Sequence, residues 1–221
     1  MTNRYHIQYP TRGDLVREQL RRRGVRYWVD VQENIHQRLE QFTEEQRKIF
    51  ALGCAERVMR LHESLPGEKR QAFSLTWRPI LDLMWDGLSG EKEGTRTQVK
   101  EALEAFYASP FNHEDGLEGP DEADQDAAAV SIYAAECFES GEVDPAYKAS
   151  GRAIGVALQI AAQELQLDPN EFEWDPGAEP MPLAREAMHA VVQAELDRQF
   201  EDLSVIEGGE DSANIISRIR S

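Results

Sequence analysis

FSLTWRPILDLMWDGL, residues 73–88, is the stretch on which the fold turns. Phe73, Leu75, Trp77, Ile80, Leu81, Leu83, Met84, Trp85 and Leu88 are too dense to share one helical stripe. A helix that is apolar round most of its circumference is buried round most of it. Thr76 is placed to cap it. Pro79 then falls at the third helical position, where the N–H it lacks has no intrahelical acceptor. The carbonyl its ring would strike belongs to Leu75, before the helix begins. The stretch therefore predicts a buried central helix at about 76–88, wrapped by others. It speaks to fold and carries no chemistry.

Upstream, Pro66-Gly67 closes a helix over 44–64 that opens with a capping box, Thr43-Glu-Glu-Gln46. Its core positions include Ile49, Phe50, Leu52, Cys54, Val58, Met59 and Leu61. Before it, Val31, Ile35, Leu39 and Phe42 recur at helical spacing. Downstream, Gly87–Gly94 is a loop, and Val99, Leu103 and Phe106 mark a helix that ends near Ser109-Pro110. Residues 111–124 are loop. An alanine-rich helix runs from Asp124 to about Ser140, with small residues that let a neighbour approach closely. Asp144-Pro145 opens a helix to Leu167. EFEWDPGAEPMP, residues 171–182, is a second acidic loop, broken by prolines. A long helix begins at Pro182 or Leu183 and runs through Ile206, and a short turn over Ser212–Ile219 follows Gly208-Gly209.

No stretch alternates with period two for long enough to make a strand. The expectation is an all-α protein, a single compact multi-helix bundle of seven to nine helices. With no linker to part domains, residues 31–221 form a single α-helical domain, preceded by a basic arm or helix over 1–30.

The chain of 221 residues carries a net charge of −17. Arg4, Arg12, Arg17, Arg21, Arg22, Arg23 and Arg26 give the arm +4 against Asp14, Glu18 and Asp30, so the other 191 residues carry −21. Such a surface repels a nucleic-acid duplex and an anionic membrane, and favours a basic protein as partner. No signal peptide is expected from the N-terminal residues, and no apolar run is long enough to span a bilayer. Cys54 and Cys137 sit in apolar helical contexts and read as core thiols of a reducing compartment. The expected location is the cytoplasm.

Two Glu-x-x-His pairs, Glu33/His36 and Glu186/His189, have the spacing that puts two metal ligands on one helical face, as in di-iron bundles. Glu56, Glu136 or Glu195 could complete such a site. Chance alone produces about 0.6 such spacings from 27 glutamates and five histidines, so two are unremarkable and no metal is assigned. His113–Asp126 is rich in oxygen ligands but fails the register of a calcium loop. There is no nucleophile elbow and no phosphate-binding glycine loop. Trp77, Trp85 and Phe106 read as core, and no cofactor is expected. No catalytic residue is assigned.

One signal survives. Glu101–Tyr147 contains 13 acidic residues and no lysine or arginine, and Ala153–Ala184 contains six and again none. If these runs adjoin, they form a surface of one sign that attracts a basic partner. The candidate contacts are Glu114, Asp115, Glu118, Asp121, Glu122, Asp124 and Asp126, with Glu171, Glu173, Trp174 and Asp175. Trp174 is the candidate anchor, an aromatic ring amid acids. The reading is an acidic binding protein, most concretely an immunity protein that covers the active site of a basic toxin domain. A helical metalloenzyme and a self-associating regulatory protein are the alternatives.

FALGCAER at Phe50–Arg57, ILDLMW at Ile80–Trp85, the DxAAAVSIYAA pattern from Asp126 and SANIIS at Ser212–Ser217 occur in that order. Together they resemble the uncharacterised bacterial family called domain of unknown function 416, over about residues 31–221. The region between Gly90 and Asp124 and the acidic loop around Trp174 depart from that family's pattern. The resemblance implies a compact α-helical fold in a bacterial cytoplasm. It implies no activity, since the family offers no established catalytic residues to carry over.

Overall fold

The computed structural model describes residues 25–67, 70, 72–90, 94–109, 122–166, 189–209 and 211–220. Among them the protein is all-α, with eight helices and no strand. They are α1 (Val25–Gln41), α2 (Glu44–Ser64), α3 (Ala72–Leu88), α4 (Thr95–Tyr107), α5 (Glu122–Ser140), α6 (Val143–Glu164), α7 (Ala190–Glu207) and α8 (Ser212–Arg220). None of the helices searched is long and apolar enough to cross a membrane.

The helix the others share is α2. It packs against α3, α5, α6, α7 and α8. Its capping box forms as the sequence implies: Thr43 Oγ1 accepts from the Gln46 backbone N–H at 3.3 Å, and Gln46 Oε1 accepts from the Thr43 N–H at 2.9 Å. Ile49 through Glu56 are buried without interruption, two full turns enclosed on every side. Ala51, Gly53 and Ala55 make this possible by letting neighbours approach the backbone. At Gly53 a Cβ would lie 2.5 Å from Ile219 Cγ2 of α8.

The stretch at 73–88 does form a core helix, α3, but two details differ from the expectation. Its burial is one-sided: Trp77, Leu81, Met84 and Trp85 are enclosed, whereas Leu75, Thr76 and Pro79 are exposed. It packs on α2, α4 and α5, and the central place belongs to α2. It also starts at Ala72, because Phe73 and Trp77 both stack with Phe106 of α4, at 6.2 and 6.1 Å between ring centres. Thr76 is therefore no cap; its hydroxyl donates to the Phe73 carbonyl at 2.5 Å. Pro79 lies inside the helix, and the Leu75 carbonyl that loses its donor is on the exposed side, where water can serve it.

Helix α1 begins at Val25 and runs through residue 30, and residues 1–24 of the basic arm lie outside the described residues. Val31, Ile35, Leu39 and Phe42 are all buried. Buried Arg38 joins α1 to α7 with two bonds to Glu207, at 2.6 and 2.7 Å, one to Ser204, and its guanidinium over the Phe200 ring. The helix expected from Pro182 or Leu183 starts instead at Ala190. His189 is extended there and its Nδ1 accepts from the Val191 N–H at 3.5 Å, which caps the first turn.

Candidate functional site

The two cation-free runs meet through the helix order. Helix α5 packs against both α4 and α6, so the described parts of Glu101–Tyr147 and Ala153–Ala184 share one region. Glu101, Glu104, Glu142, Asp144 and Glu164 are exposed there. Cations reach them from the edges of the runs. Arg96 bonds the Glu139 carboxylate at 3.1 Å and its backbone carbonyl at 2.7 Å, Lys148 pairs with Asp144 at 2.8 Å, and Lys100 stands 3.9 Å from Glu104. Tyr107 donates to Glu136; burial and that carboxylate push the Tyr107 phenol above its ordinary range.

Of the candidate contacts, Glu122, Asp124 and Asp126 lie in the first turns of α5. Glu114, Asp115, Glu118, Asp121, Glu171, Glu173, Trp174 and Asp175 lie outside the described residues, as does Glu186. The remaining three metal candidates do not come together. Glu33 is exposed on α1. His36 stands 3.6 Å from Glu40 and edge-on to Tyr147, with ring centres 5.2 Å apart. His189 Nε2 lies 3.3 Å from Glu164. Tyr147 and Glu164 are at opposite ends of α6, about 25 Å apart along its axis. One ion cannot bind both histidines. Among the described residues no three His, Cys, Asp or Glu side chains are grouped to hold a metal.

The reading of the sequence missed two buried charge clusters on consecutive residues of α2. The Arg57 guanidinium is bidentate to Glu195, with both bonds at 3.1 Å. It donates to Asp202 at 2.5 Å and to the Cys54 sulfur at 3.5 Å. Glu195 also accepts from Gln199 at 2.8 Å, and Gln199 exchanges two hydrogen bonds with Ser150 of α6. Burial opposes the charge on Arg57, yet Glu195 and Asp202 outweigh it and hold the guanidinium charged. The two carboxylates share one cation, so burial, reinforced by Glu195, raises the Asp202 carboxyl above its ordinary value despite Arg57. Burial likewise pushes the Cys54 thiol up, with Arg57 only partly offsetting it, so Cys54 is a packed thiol and no nucleophile. Cys137 is buried too, its thiol pushed up to about 12, and neither cysteine is in a disulfide.

The second cluster surrounds Glu56. Its carboxylate accepts from Arg60 at 2.8 Å, from Arg78 at 3.1 and 2.9 Å, and from the Trp85 indole N–H at 3.2 Å. Arg78 also bonds Asp82 at 2.6 Å; Asp82 accepts from Arg220 at 3.1 Å, and Arg60 donates to the Arg220 carbonyl. Burial would raise the Glu56 carboxyl, but the bonds from Arg78 and Arg60 win and hold it below the usual range. The signal for the first cluster was present in the sequence. Glu195, Gln199 and Asp202 are spaced four and three apart on α7, interleaved with buried Leu196, Phe200 and Leu203, so they must face inward.

Beside the Arg57 cluster, α2, α6 and α7 diverge and leave a groove of about 530 Å³. Val58 and Leu61 of α2, Val156 and Ile160 of α6, and Val191 and Ala194 of α7 form its apolar lining. Its charged lip is Arg57, Glu195, Asp197, Arg198 and Glu201. Leu61 is 42% exposed on its wall.

No family model, curated protein or solved structure matches the chain. Several residues of the stretches quoted above for the expected resemblance do structural work in this fold. Glu56, Arg57, Asp82 and Trp85 build the two ion clusters, and Ile215 and Ile216 bury α8.

Proposed function

We propose that the chain is a cytoplasmic binding protein whose acidic α4–α6 region takes up a basic protein. Its most concrete form is an immunity protein that covers the active site of a basic toxin domain. The observation that carries this reading is the side-by-side packing of α4, α5 and α6, which joins two long runs without lysine or arginine in a chain of net charge −17. A field of one sign speeds association with an opposite charge and rejects partners of like charge.

The test is affinity capture from lysate of the source cells at low and moderate salt, with mass spectrometry of what is retained. The bait is compared with the variant Asp121→Lys, Glu122→Lys, Asp124→Lys, Asp126→Lys. A basic protein held by the parent chain, weakened by salt and lost with the variant, is the expected result. Equal retention by both baits, or no basic protein at either salt, refutes the reading.

A further inference from the structure

Three carboxylates of the α4–α6 region each hold a cation of their own chain. Arg96 bonds Glu139 at 3.1 Å, Lys148 pairs with Asp144 at 2.8 Å, and Lys100 stands 3.9 Å from Glu104. Glu136, one turn before Glu139 on α5, is different. It is half-buried, and among the described residues its carboxylate enters no ion pair; the Tyr107 hydroxyl of α4 donates to its Oε1. Two aromatic rings flank it. Tyr133 lies one turn earlier on the same side of α5, itself half-buried. Tyr107 is 46% exposed, and burial, Glu136 and Tyr133 together push its phenol up, which places all three side chains in one cluster.

The cluster already faces one cation. The Lys148 ammonium, anchored by Asp144, stands over the Tyr133 ring at 5.9 Å from its centre. Asp144 does most to hold it charged, and Tyr133 and Glu136 add to that field. Lys148 thus shows that a cation is stable against this ring, yet it bonds Asp144 and leaves Glu136 without an ion pair. Arginine suits the remaining place better than a second lysine. Its planar fork donates to a carboxylate while its flat face stacks on an aromatic ring, and an ammonium does neither.

We propose that Glu136, Tyr133 and Tyr107 form a clamp for an arginine side chain of the partner, which donates to the Glu136 carboxylate and lays its guanidinium on the tyrosine rings beside Lys148. This rests on the basic-partner reading and gives it an anchor among the described residues. Exposed charge alone speeds association and is screened by salt, whereas a stacked, half-buried arginine is the kind of contact that interfaces use as a hot spot.

The probes are two labelled peptides of equal charge, hexa-arginine and hexa-lysine. Their affinity for the full chain is measured by fluorescence anisotropy at about 0.15 M salt, where charges more than about 8 Å apart are largely screened. Amide chemical shifts of the 15N-labelled protein locate the site. The variants are Glu136→Gln and Tyr133→Leu, with exposed Glu101→Gln as the control that removes the same charge elsewhere on α4. The expected result is at least fivefold tighter binding of the arginine peptide to the parent chain. Glu136→Gln and Tyr133→Leu should each cut that preference below twofold, while Glu101→Gln leaves it unchanged, and the shifts should centre on Tyr107, Tyr133, Glu136 and Lys148. Each protein is read as the ratio of two peptides, so a general loss of stability does not mimic the result. Equal affinity of the two peptides for the parent, a preference that survives Glu136→Gln, or shifts confined to other helices overturns the clamp. If both peptides bind alike and the charge reversal on residues 121–126 weakens both, the clamp fails while the acidic-face reading stands. If neither peptide binds even at low salt, both fail.

Discussion

Glu56→Gln tests whether the charge cluster on α2 holds the fold together. Glu56 is 3% exposed and receives four N–H groups from Arg60, Arg78 and Trp85. Glutamine keeps the shape, but it removes the charge and turns an NH2 group toward guanidinium. Removing one partner of a buried pair costs about 3–5 kcal/mol. Two features lower that figure. Arg78 keeps Asp82 at 2.6 Å, and the Arg60 side chain is 48% exposed, so water compensates it. The expected loss is about 2–3 kcal/mol, or roughly 4–12 °C in Tm for a chain of this size. Urea unfolding followed by helical circular dichroism measures it, with the midpoint falling and the slope unchanged. The effect also has a pH signature. The folded Glu56 carboxyl lies below its ordinary 4.5, so its contribution is complete above that pH and is lost as pH falls through the folded value. The gap between parent and variant must therefore close in acid. A gap below 1 kcal/mol at pH 7, or one that does not change between pH 7 and pH 3, would show that Glu56 is a tolerated buried charge and not a tie.

Gly53→Ala places a methyl 2.5 Å from Ile219 Cγ2 and should cost about 1–3 kcal/mol. Limited proteolysis should then release the C-terminal helix first. Arg57→Met leaves Glu195 and Asp202 buried without their cation and should cost about 3–5 kcal/mol in urea unfolding. Asp202→Asn should go the other way. The Asp202 carboxyl is raised in the fold, so the native state takes up its proton first and the parent chain gains stability as pH falls through that value toward 3.8. The Asn variant should match or exceed the parent at pH 7 and lose its lead in acid, read by the same unfolding curves. Glu101→Lys with Glu142→Lys, both exposed, should leave stability within about 0.5 kcal/mol of the parent while slowing association with a basic partner.

Helix existence was legible because it depends on local period and local caps. The Thr43–Gln46 box, the buried stripe Val31, Ile35, Leu39 and Phe42, and the break at Pro66-Gly67 are all encoded within a few residues. Which helix lies at the centre was not legible by the same means. Density of large apolar residues pointed to 73–88, yet the enclosed helix is α2, whose two buried turns mix Ile49, Phe50 and Leu52 with Ala51, Gly53, Cys54, Ala55 and a buried glutamate. Small residues contribute little to a hydrophobic pattern but let five helices come close. The ion clusters were hidden for a related reason. Glu56 and Arg57 look like solvated positions on an amphipathic helix until Arg78, Trp85, Glu195 and Asp202 arrive from 22 to 145 residues away. The acidic runs were visible by counting, but whether they adjoin depended on α5 lying between α4 and α6.

The arrangement of charge divides the molecule by task. Four arginines matched to named carboxylates tie distant segments together: Arg57 joins α2 to α7, Arg78 joins α3 to α2, Arg220 joins α8 to α3, and Arg38 joins α1 to α7. Those four arginines lie on α1, α2, α3 and α8. From Glu101 to Tyr147 and from Ala153 to Ala184 the chain has no lysine or arginine, and the cations of α4 and α6, Arg96, Lys100, Lys148 and Arg152, stand at the borders of those runs. Helices α5 and α6 are instead held by alanine-rich packing, with Ala127, Ala128, Ala134, Ala135, Ala146, Ala149 and Ala153 all buried. Packing of that kind does not depend on surface charge. The acids of the α4–α6 region can therefore be changed without loosening the core. A loss of partner binding on charge reversal there reports on recognition, whereas the same loss at Glu56 or Arg57 would report on folding.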